Sequence, residues 1–230
     1  MIDWHSHILP AVDDGSRDLE ESIQMLGAMK CQGVDTVVAT PHFLANEESI
    51  DEFLQRRDAA FVQLSTAASE LGIEILRGAE VKYYPGISRM DHLDKLTIEG
   101  TKLLLLEMPM AKWTDFTVRE LIELANMRRV KIIMAHIERY IGLQDKGVIG
   151  QLCENGILMQ VNASFFDRLG SRRKAIKLLD SGYIHFIGSD CHNMTSRPPN
   201  IDSAYELIER KLGEDFTSQM IEYGYSVLGR

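Results

Sequence analysis

The chain has 230 residues, 45% of them hydrophobic and 26% charged, which excludes a disordered or collagen-like polymer and fits an ordinary folded chain. With 25 basic against 34 acidic residues the net charge is -9, which disfavours nucleic acid, and the compact basic clusters Arg128-Arg129 and Arg172-Arg173-Lys174 are too short to track a duplex. The longest aliphatic run, Leu103 to Leu106, is far below the roughly 18 residues of a membrane span. The start Met1-Ile2-Asp3-Trp4-His5 carries no export signal, and the three cysteines form no Cys-x-x-Cys pair, so a cytoplasmic location is expected.

Seven short aliphatic or β-branched runs predict strands at 2–6, 36–40, 74–80, 102–107, 131–136, 157–162 and 184–189. Between the first two, Leu19, Ile23, Leu26 and Met29 mark a helix that starts after Gly15-Ser16 and ends near Gly33. A longer helix of about twenty residues follows through Ile50, Phe53, Leu54, Phe61, Leu64 and Leu71, stopped by Gly72. Further helices are predicted around Val118 to Ala125, Val148 to Leu152, Ala175 to Leu179 and Tyr205 to Leu212. Alternating strands and helices without a linker or repeat predict one α/β domain over 1–230, as either an open parallel sheet or a closed barrel.

The polar residues favour closure. His5 and His7, His42, Glu80, Glu107, His136, Asn162, and Asp190 with His192 all fall at or just beyond the carboxyl ends of the predicted strands. A parallel barrel gathers those ends at one mouth, where an open sheet would spread them. In a strand, residues i and i+2 share a face, so His5 and His7 can approach one metal, and Asp190 and His192 can do likewise. Imidazole with carboxylate suits Mn, Fe or Zn. Any single histidine here reads more readily as a hydrogen-bonded core or surface residue; five aligned ones are hard to explain as packing. The carboxylates Asp14, Glu80, Glu107 and Asp190 would be costly at such a mouth without cations, and only one of the adjacent Asp13 and Asp14 need ligate. Four carboxylates against two or three divalent ions leave a neutral or positive site that attracts a phosphate dianion. Arg139 and Arg197 follow in loops at the same face and can clamp phosphate oxygens; the plainer alternative is a surface arginine or a salt bridge to Glu138.

His5-Ser6-His7, Val12-Asp13-Asp14-Gly15, Thr40-Pro41-His42, Gly78-Ala79-Glu80, Ala135-His136-Ile137-Glu138-Arg139-Tyr140, and Ser189-Asp190-Cys191-His192-Asn193 with Arg197-Pro198-Pro199 resemble the PHP (polymerase and histidinol phosphatase) superfamily. The Ile-Glu-Arg-Tyr and Arg-Pro-Pro stretches are similar to its bacterial tyrosine-protein phosphatases of the CpsB/YwqE type. The resemblance implies a distorted seven-stranded (β/α) barrel, TIM-barrel-like. It implies two or three divalent ions, Mn2+ foremost with Fe or Zn also fitting, held by His5, His7, Asp14, His42, Glu80, Glu107, His136, Asp190 and His192. Arg139 and Arg197 would sit at the phosphate, and catalysis would draw on Arg139, Arg197, His42 and Asp190.

The implied reaction is hydrolysis of phosphotyrosine by a metal-activated hydroxide. The implied partner is the tyrosine-rich tail of a tyrosine autokinase in capsular or exopolysaccharide synthesis. Histidinol phosphatase is the rival within the superfamily, and a non-catalytic metal- or phosphoprotein-binding barrel the rival outside enzymes. Relatives usually continue past the last predicted helix with a further segment, so the stretch ending at Leu228-Gly229-Arg230 is a departure from the pattern. A second phosphatase chemistry is formally present, since Cys191 and Arg197 make a Cys-x5-Arg loop. That loop lacks an internal glycine and a preceding histidine, and the adjacent Asp190 disfavours thiolate.

Overall fold

The computed structural model describes residues 1–127, 129–167 and 169–230; Arg128, half of one basic pair noted above, lies outside the described residues, as does Arg168. The strands are β1 (Ile2–Ser6), β2 (Thr36–Ala39), β3 (His42–Phe43), β4 (Glu74–Arg77), β5 (Glu80–Lys82), β6 (Leu103–Glu107), β7 (Lys131–Met134), β8 (Leu158–Asn162) and β9 (Phe186–Gly188). The helices are α1 (Leu19–Cys31), α2 (Ile50–Leu71), α3 (Asp115–Asn126), α4 (Val148–Glu154), α5 (Leu169–Asp180), α6 (Ile201–Leu212) and α7 (Glu214–Val227). All strand pairings are parallel, in one sheet ordered β1-β2-β4 and another ordered β3-β5-β6-β7-β8-β9. This is an α/β fold with a curled parallel sheet and a helical outer layer.

The expectation of seven continuous strands in one sheet is corrected by this pairing. The predicted strand 36–40 ends at Ala39 as β2 and is followed, past Thr40-Pro41, by the separate short β3, while the predicted strand 74–80 breaks in two at Gly78-Ala79. Pro41 has no N–H to give a ladder, and a Cβ on Gly78 would lie 3.2 Å from Thr40 Cγ2. Hydrogen bonds nonetheless cross the break, from Gly78 N–H to Ala39 O at 2.8 Å and from Glu80 N–H to Pro41 O at 3.0 Å. At the other side, β1 meets the segment after β9 through a parallel bridge between Ser6 and Cys191, with Asp190 N–H donating to His5 O and His7 N–H to Cys191 O.

Two apolar layers follow from the strand alternation. An inner cluster including Ile2, Trp4, Leu103, Leu105, Leu158 and Phe186 fills the concave side, while Met25, Leu26, Phe53, Leu64, Leu121 and Ile208 pack the helices onto the outer side. Each fully buried side chain of this size contributes about 1.5–3 kcal/mol. The helix ends obey local rules: Asp18 accepts from Glu21 N–H to cap α1, Ser49 and Glu52 form a reciprocal capping box on α2, and Gly72 closes α2 in the left-handed region at φ 63°.

α7, which lies beyond the last helix predicted from sequence, packs on β1 at the amino ends of the strands. Its Gly224 has no side chain, and a Cβ there would stand 3.3 Å from both Ile2 Cδ1 and Trp4 Cζ2, so this position brings the helix close beneath the inner cluster. Among the described residues, no helix is long and apolar enough to cross a membrane.

Candidate metal centre

β1 places the first two histidines by breaking its own alternation. Ile2 and Asp3 pair with Thr36 and Val37 of β2, but Ser6 pairs with Ala39, so β1 holds one residue more than its partner between Asp3 and Ser6. Such a bulge re-aims side chains. Phe186 and Gly188 share a face of β9; Trp4 stacks on Phe186 at 3.9 Å between centroids, and a Cβ on Gly188 would lie 2.6 Å from His5 Cβ. The consecutive residues Trp4 and His5 thus both face inward, Trp4 into the core and His5 into the mouth above it.

The nine predicted ligands converge. Ligand atoms of His7, Asp14, His42 and His192 lie within 4.8 Å of one another, as do those of His5, His7 and Asp190, of His5, Glu80 and His136, and of His42, Glu80 and Glu107. His5 Nε2 and His7 Nε2 are 3.1 Å apart, and Glu80 Oε2 is 3.2 and 3.3 Å from them. Asp190 Oδ1 lies 3.6 and 3.5 Å from the same two nitrogens. Asp14 Oδ1 bridges His42 Nε2 and His192 Nε2 at 3.4 Å each, and His136 Nε2 meets Glu80 Oε1 at 2.8 Å. Glu107 is the loosest member, with Oε1 3.9 Å from His136 Nε2.

Support from outside the cluster fixes the tautomers. His7 Nδ1 bonds Asp13 Oδ2 at 2.7 Å, His5 Nδ1 bonds Gln160 Oε1 at 3.3 Å, and His192 Nδ1 bonds Asp190 O at 3.0 Å. With those protons on Nδ1, the Nε2 lone pairs of all three rings aim at the cluster, the arrangement metal-ligating histidines use. Tyr140 OH pairs with His136 Nδ1 at 3.1 Å and accepts from Met108 N–H. Sequence reasoning did not find the supporting roles of Asp13, Gln160 and Tyr140. The available signal for Gln160 was a polar residue between the aliphatic Met159 and Val161, two positions before Asn162 and on the same strand face.

The electrostatics favour cations. Burial opposes charge on Glu80, yet His5, His136 and His42 hold its carboxyl well below the ordinary range. Burial alone would depress His5 and His7, but the facing carboxylates lift both, His7 strongly. His192, by contrast, is pushed down to about 4 by burial, His7 and Arg197, which leaves a neutral ring. Among the described residues its buried Nε2 makes no well-aligned hydrogen bond although Asp14 Oδ1 stands at 3.4 Å, and neither does His42 Nδ1 although Glu80 Oε2 stands at 3.1 Å. Buried ring nitrogens crowded against carboxylate oxygens without a well-aligned hydrogen bond between them are a donor arrangement that a divalent cation satisfies. The donor set therefore fits divalent metal.

Two arginines reach the rim. Arg139 donates to Asp190 Oδ2, Arg197 forms an ion pair with the same oxygen at 2.8 Å, and Asn162 Nδ2 donates to it at 2.6 Å. Asp190 is buried while the two arginines are about one-third exposed, so its second oxygen anchors guanidinium groups that still face solvent. Arg197 is presented by a loop folded round Asn193, whose Oδ1 accepts from the N–H groups of Thr195, Ser196 and Arg197. Arg139 is not paired with Glu138. Cys191 is buried, and burial together with Asp3 pushes its thiol well above the ordinary range, so the Cys-x5-Arg match has no thiolate behind it.

The sequence profile described as capsular polysaccharide synthesis, CpsB/CapC, matches residues 1–225. The chain belongs to the CpsB/CapC family. Among curated relatives, tyrosine-protein phosphatase CpsB of Streptococcus agalactiae is 31% identical over 99% of this chain and 98% of its own length. CpsB of Streptococcus pneumoniae is 34% identical over 93% and 91%, and tyrosine-protein phosphatase YwqE of Bacillus subtilis 28% over 96% and 89%. A solved structure from work on YwqE of Bacillus subtilis and CpsB of Streptococcus pneumoniae, described there as metal-dependent tyrosine phosphatases, superposes with TM-score 0.85 at 25% identity, covering 99% of this chain and 94% of that one. The expectation of the CpsB/YwqE type holds. The CpsB match also runs through α7, where the sequence reading had marked a departure.

Proposed function

We propose that this chain is a divalent-metal-dependent protein-tyrosine phosphatase that acts on a phosphotyrosine protein of capsular or exopolysaccharide synthesis, with the tyrosine-rich tail of a tyrosine autokinase as its substrate. The observation that carries the reading is the convergence of nine imidazole and carboxylate donors beneath two arginines anchored on one buried aspartate. His5, His7, Asp14, His42, Glu80, Glu107, His136, Asp190 and His192 would hold two or three ions, with Mn2+ the fitting choice among Mn, Fe and Zn for a mouth of nitrogen and oxygen donors without thiolate. Divalent metal held by these residues would supply a Lewis acid that brings the pKa of bound water down to about 7 and offsets the phosphate charge.

The chain's own residues do the rest. Arg139 and Arg197 bind the phosphate oxygens, and Asp190 keeps their guanidinium groups at the rim while its other oxygen faces the cluster. His42, the most exposed of the clustered histidines at 27%, lies between Asp14 and Glu80 where the phosphate enters. A phenolate leaving group, with a conjugate-acid pKa of about 10, departs with little help from a proton donor. The reading takes the two sheets as one distorted seven-stave (β/α) barrel in a single domain over 1–230, working in the cytoplasm. The Arg139 and Arg-Pro-Pro context and the curated relatives favour the tyrosine branch over histidinol phosphatase.

The test is hydrolysis of an aryl phosphate, a phosphotyrosine peptide, histidinol phosphate and single-stranded DNA in parallel, before and after chelation. Loss of the first two activities on chelation and their return with Mn2+ are expected; activity indifferent to the chelator overturns the reading.

A further inference from the structure

Five cationic side chains, Arg172, Arg173, Lys177, Arg210 and Lys211, line one groove of about 530 Å³ between α5 and α6, with Asp180 the only carboxylate in its wall among the described residues. They come from two helices, Arg172, Arg173 and Lys177 from α5 and Arg210 and Lys211 from α6, so packing joins one short basic cluster to a second basic pair about forty residues away in the chain. Arg172 is pinned, its guanidinium donating to Phe166 O and Asp167 O at 2.9 Å each. Among the described residues, Arg173, Lys177, Arg210 and Lys211 make no ion pair within 4.0 Å. In a chain of net charge -9, unneutralised cations at this density mark a place where the anion comes from outside. Leu169, 82% exposed, and half-buried Ile176 add an apolar strip along the same wall.

We propose that this groove docks an extended acidic segment of a partner protein, carboxylates against the cations and one apolar side chain on Leu169 and Ile176. The wall from Leu169 to Asp180 is about 17 Å long at about 1.5 Å per helical residue. It takes about five extended residues at about 3.3 Å each and is too short to follow a duplex. A bilayer presents a flat face, whereas these cations oppose one another across a cleft, so a chain segment fits better than a lipid surface. α5 starts a few residues beyond Asn162 at the end of β8 and α6 just beyond the loop that carries Arg197, and Asp167 ties them together through Asn200 Nδ2 and Ser203 Oγ, so the groove descends from the mouth's rim. The inference does not depend on what the metal centre hydrolyses.

The experiment measures binding of a fluorescein-labelled hexapeptide of Asp and Glu with one central Leu, by anisotropy, at salt from about 50 to about 200 mM. A Gln-substituted peptide, phosphatidylserine vesicles and a duplex oligonucleotide serve as competitors. Preferential binding of the acidic peptide, weakened by salt and at least about tenfold by the R173E/K177E/R210E variant, is expected from three exposed charge contacts. The milder R173Q/K177Q variant weakens it less, and a K30E/K95E/R119E control leaves it unchanged. Thermal melting and aryl-phosphate hydrolysis report that the variants are folded. Equal affinity for the neutral peptide, or no change in the groove variants, overturns the proposal. So does retention of vesicles or duplex in place of the peptide, or a loss of self-association as the variants' only effect.

Discussion

Replacing Asp13 with Asn tests whether the geometry of the centre is built from outside it. Asp13 Oδ2 accepts from His7 Nδ1 at 2.7 Å and from His42 N–H at 2.9 Å, while Oδ1 accepts from Gly15 N–H at 3.0 Å. These bonds and the attraction of His7 hold the Asp13 carboxyl far below the ordinary range in spite of burial. Asn has the same shape but only one acceptor oxygen. If that oxygen serves His7 and His42, the amide NH2 faces Gly15 N–H, and one buried donor is orphaned at a cost of about 1–3 kcal/mol. The bond to His7 also loses its charge, a further loss on the order of 1 kcal/mol. D13N is therefore expected to lower folding stability by about 2–4 kcal/mol and to weaken metal affinity by about 10–100-fold, the usual penalty for losing a partner behind a ligating histidine. Calorimetric titration of the metal-stripped protein with Mn2+, beside a denaturant melt, reads both numbers. Unchanged metal affinity in a variant that is measurably destabilised would refute the positioning role and reduce Asp13 to a loop staple.

The other expectations are simpler. C191S should retain kcat within about threefold, because Cys191 is buried and its thiol is held protonated; abolished turnover with full metal content would restore the thiol mechanism. R139A and R197A should each lower kcat/KM about 10–100-fold at unchanged metal content, the cost of one charged phosphate contact, and wild-type kinetics in both would remove the arginines from the site. G188A places a Cβ 2.6 Å from His5 Cβ and 2.9 Å from Gln160 Nε2. It should destabilise the fold by about 1–3 kcal/mol and loosen metal binding with it, and a variant with native melting and metal content would show that the strand yields there at no cost.

What the sequence made legible is the part governed by short-range periodicity. Strand positions followed from aliphatic runs, α1 and α2 from helical stripes with Ser49 and Gly72 as punctuation, and the donors from their placement at strand ends. The i and i+2 rule for His5 and His7 holds in the structure, with both Nε2 atoms facing one another. What stayed hidden depends on residues far apart in the chain. Gln160 supports His5 across 155 positions, and Arg210 and Lys211 complete the groove begun by Arg172 and Arg173. The break at Gly78 carried a local signal, the glycine itself, but Ile75-Leu76 before it led the strand on to Glu80, and β3 beyond Pro41 is only two residues long. α7 carries Phe216, Met220, Ile221, Tyr223, Tyr225 and Val227, but Gly224, the residue that decides its docking, weakens a helix by propensity and matters only through what it lets approach.

The mouth is assembled against local preference, and this connects the bulge to the chemistry. Four non-glycine residues among those described have positive φ, and three of them, Ala11, His136 and Asp190, lie in loops that build the centre. Each costs about 1–3 kcal/mol relative to a relaxed backbone, least for Asp190, since Asp tolerates the left-handed region. His136 at φ 32° and Asp190 at φ 52° stand just beyond β7 and β9, where continuing the strand would alternate their side chains with their neighbours' and spread them over two faces. Turning out of the strand there lets His136 reach Glu80 and lets Asp190 divide its oxygens between the histidines and the arginines. The extra residue in β1 does the same for His5. Strain of this kind persists only where surrounding bonds over-determine it, as the Gln160 bond to His136 N–H at 2.7 Å and the Asn162 bond to Asp190 do here. The polar residues of β8 thus have a structural purpose that their own sequence context does not announce: they hold two strained ligands in place from the strand between them.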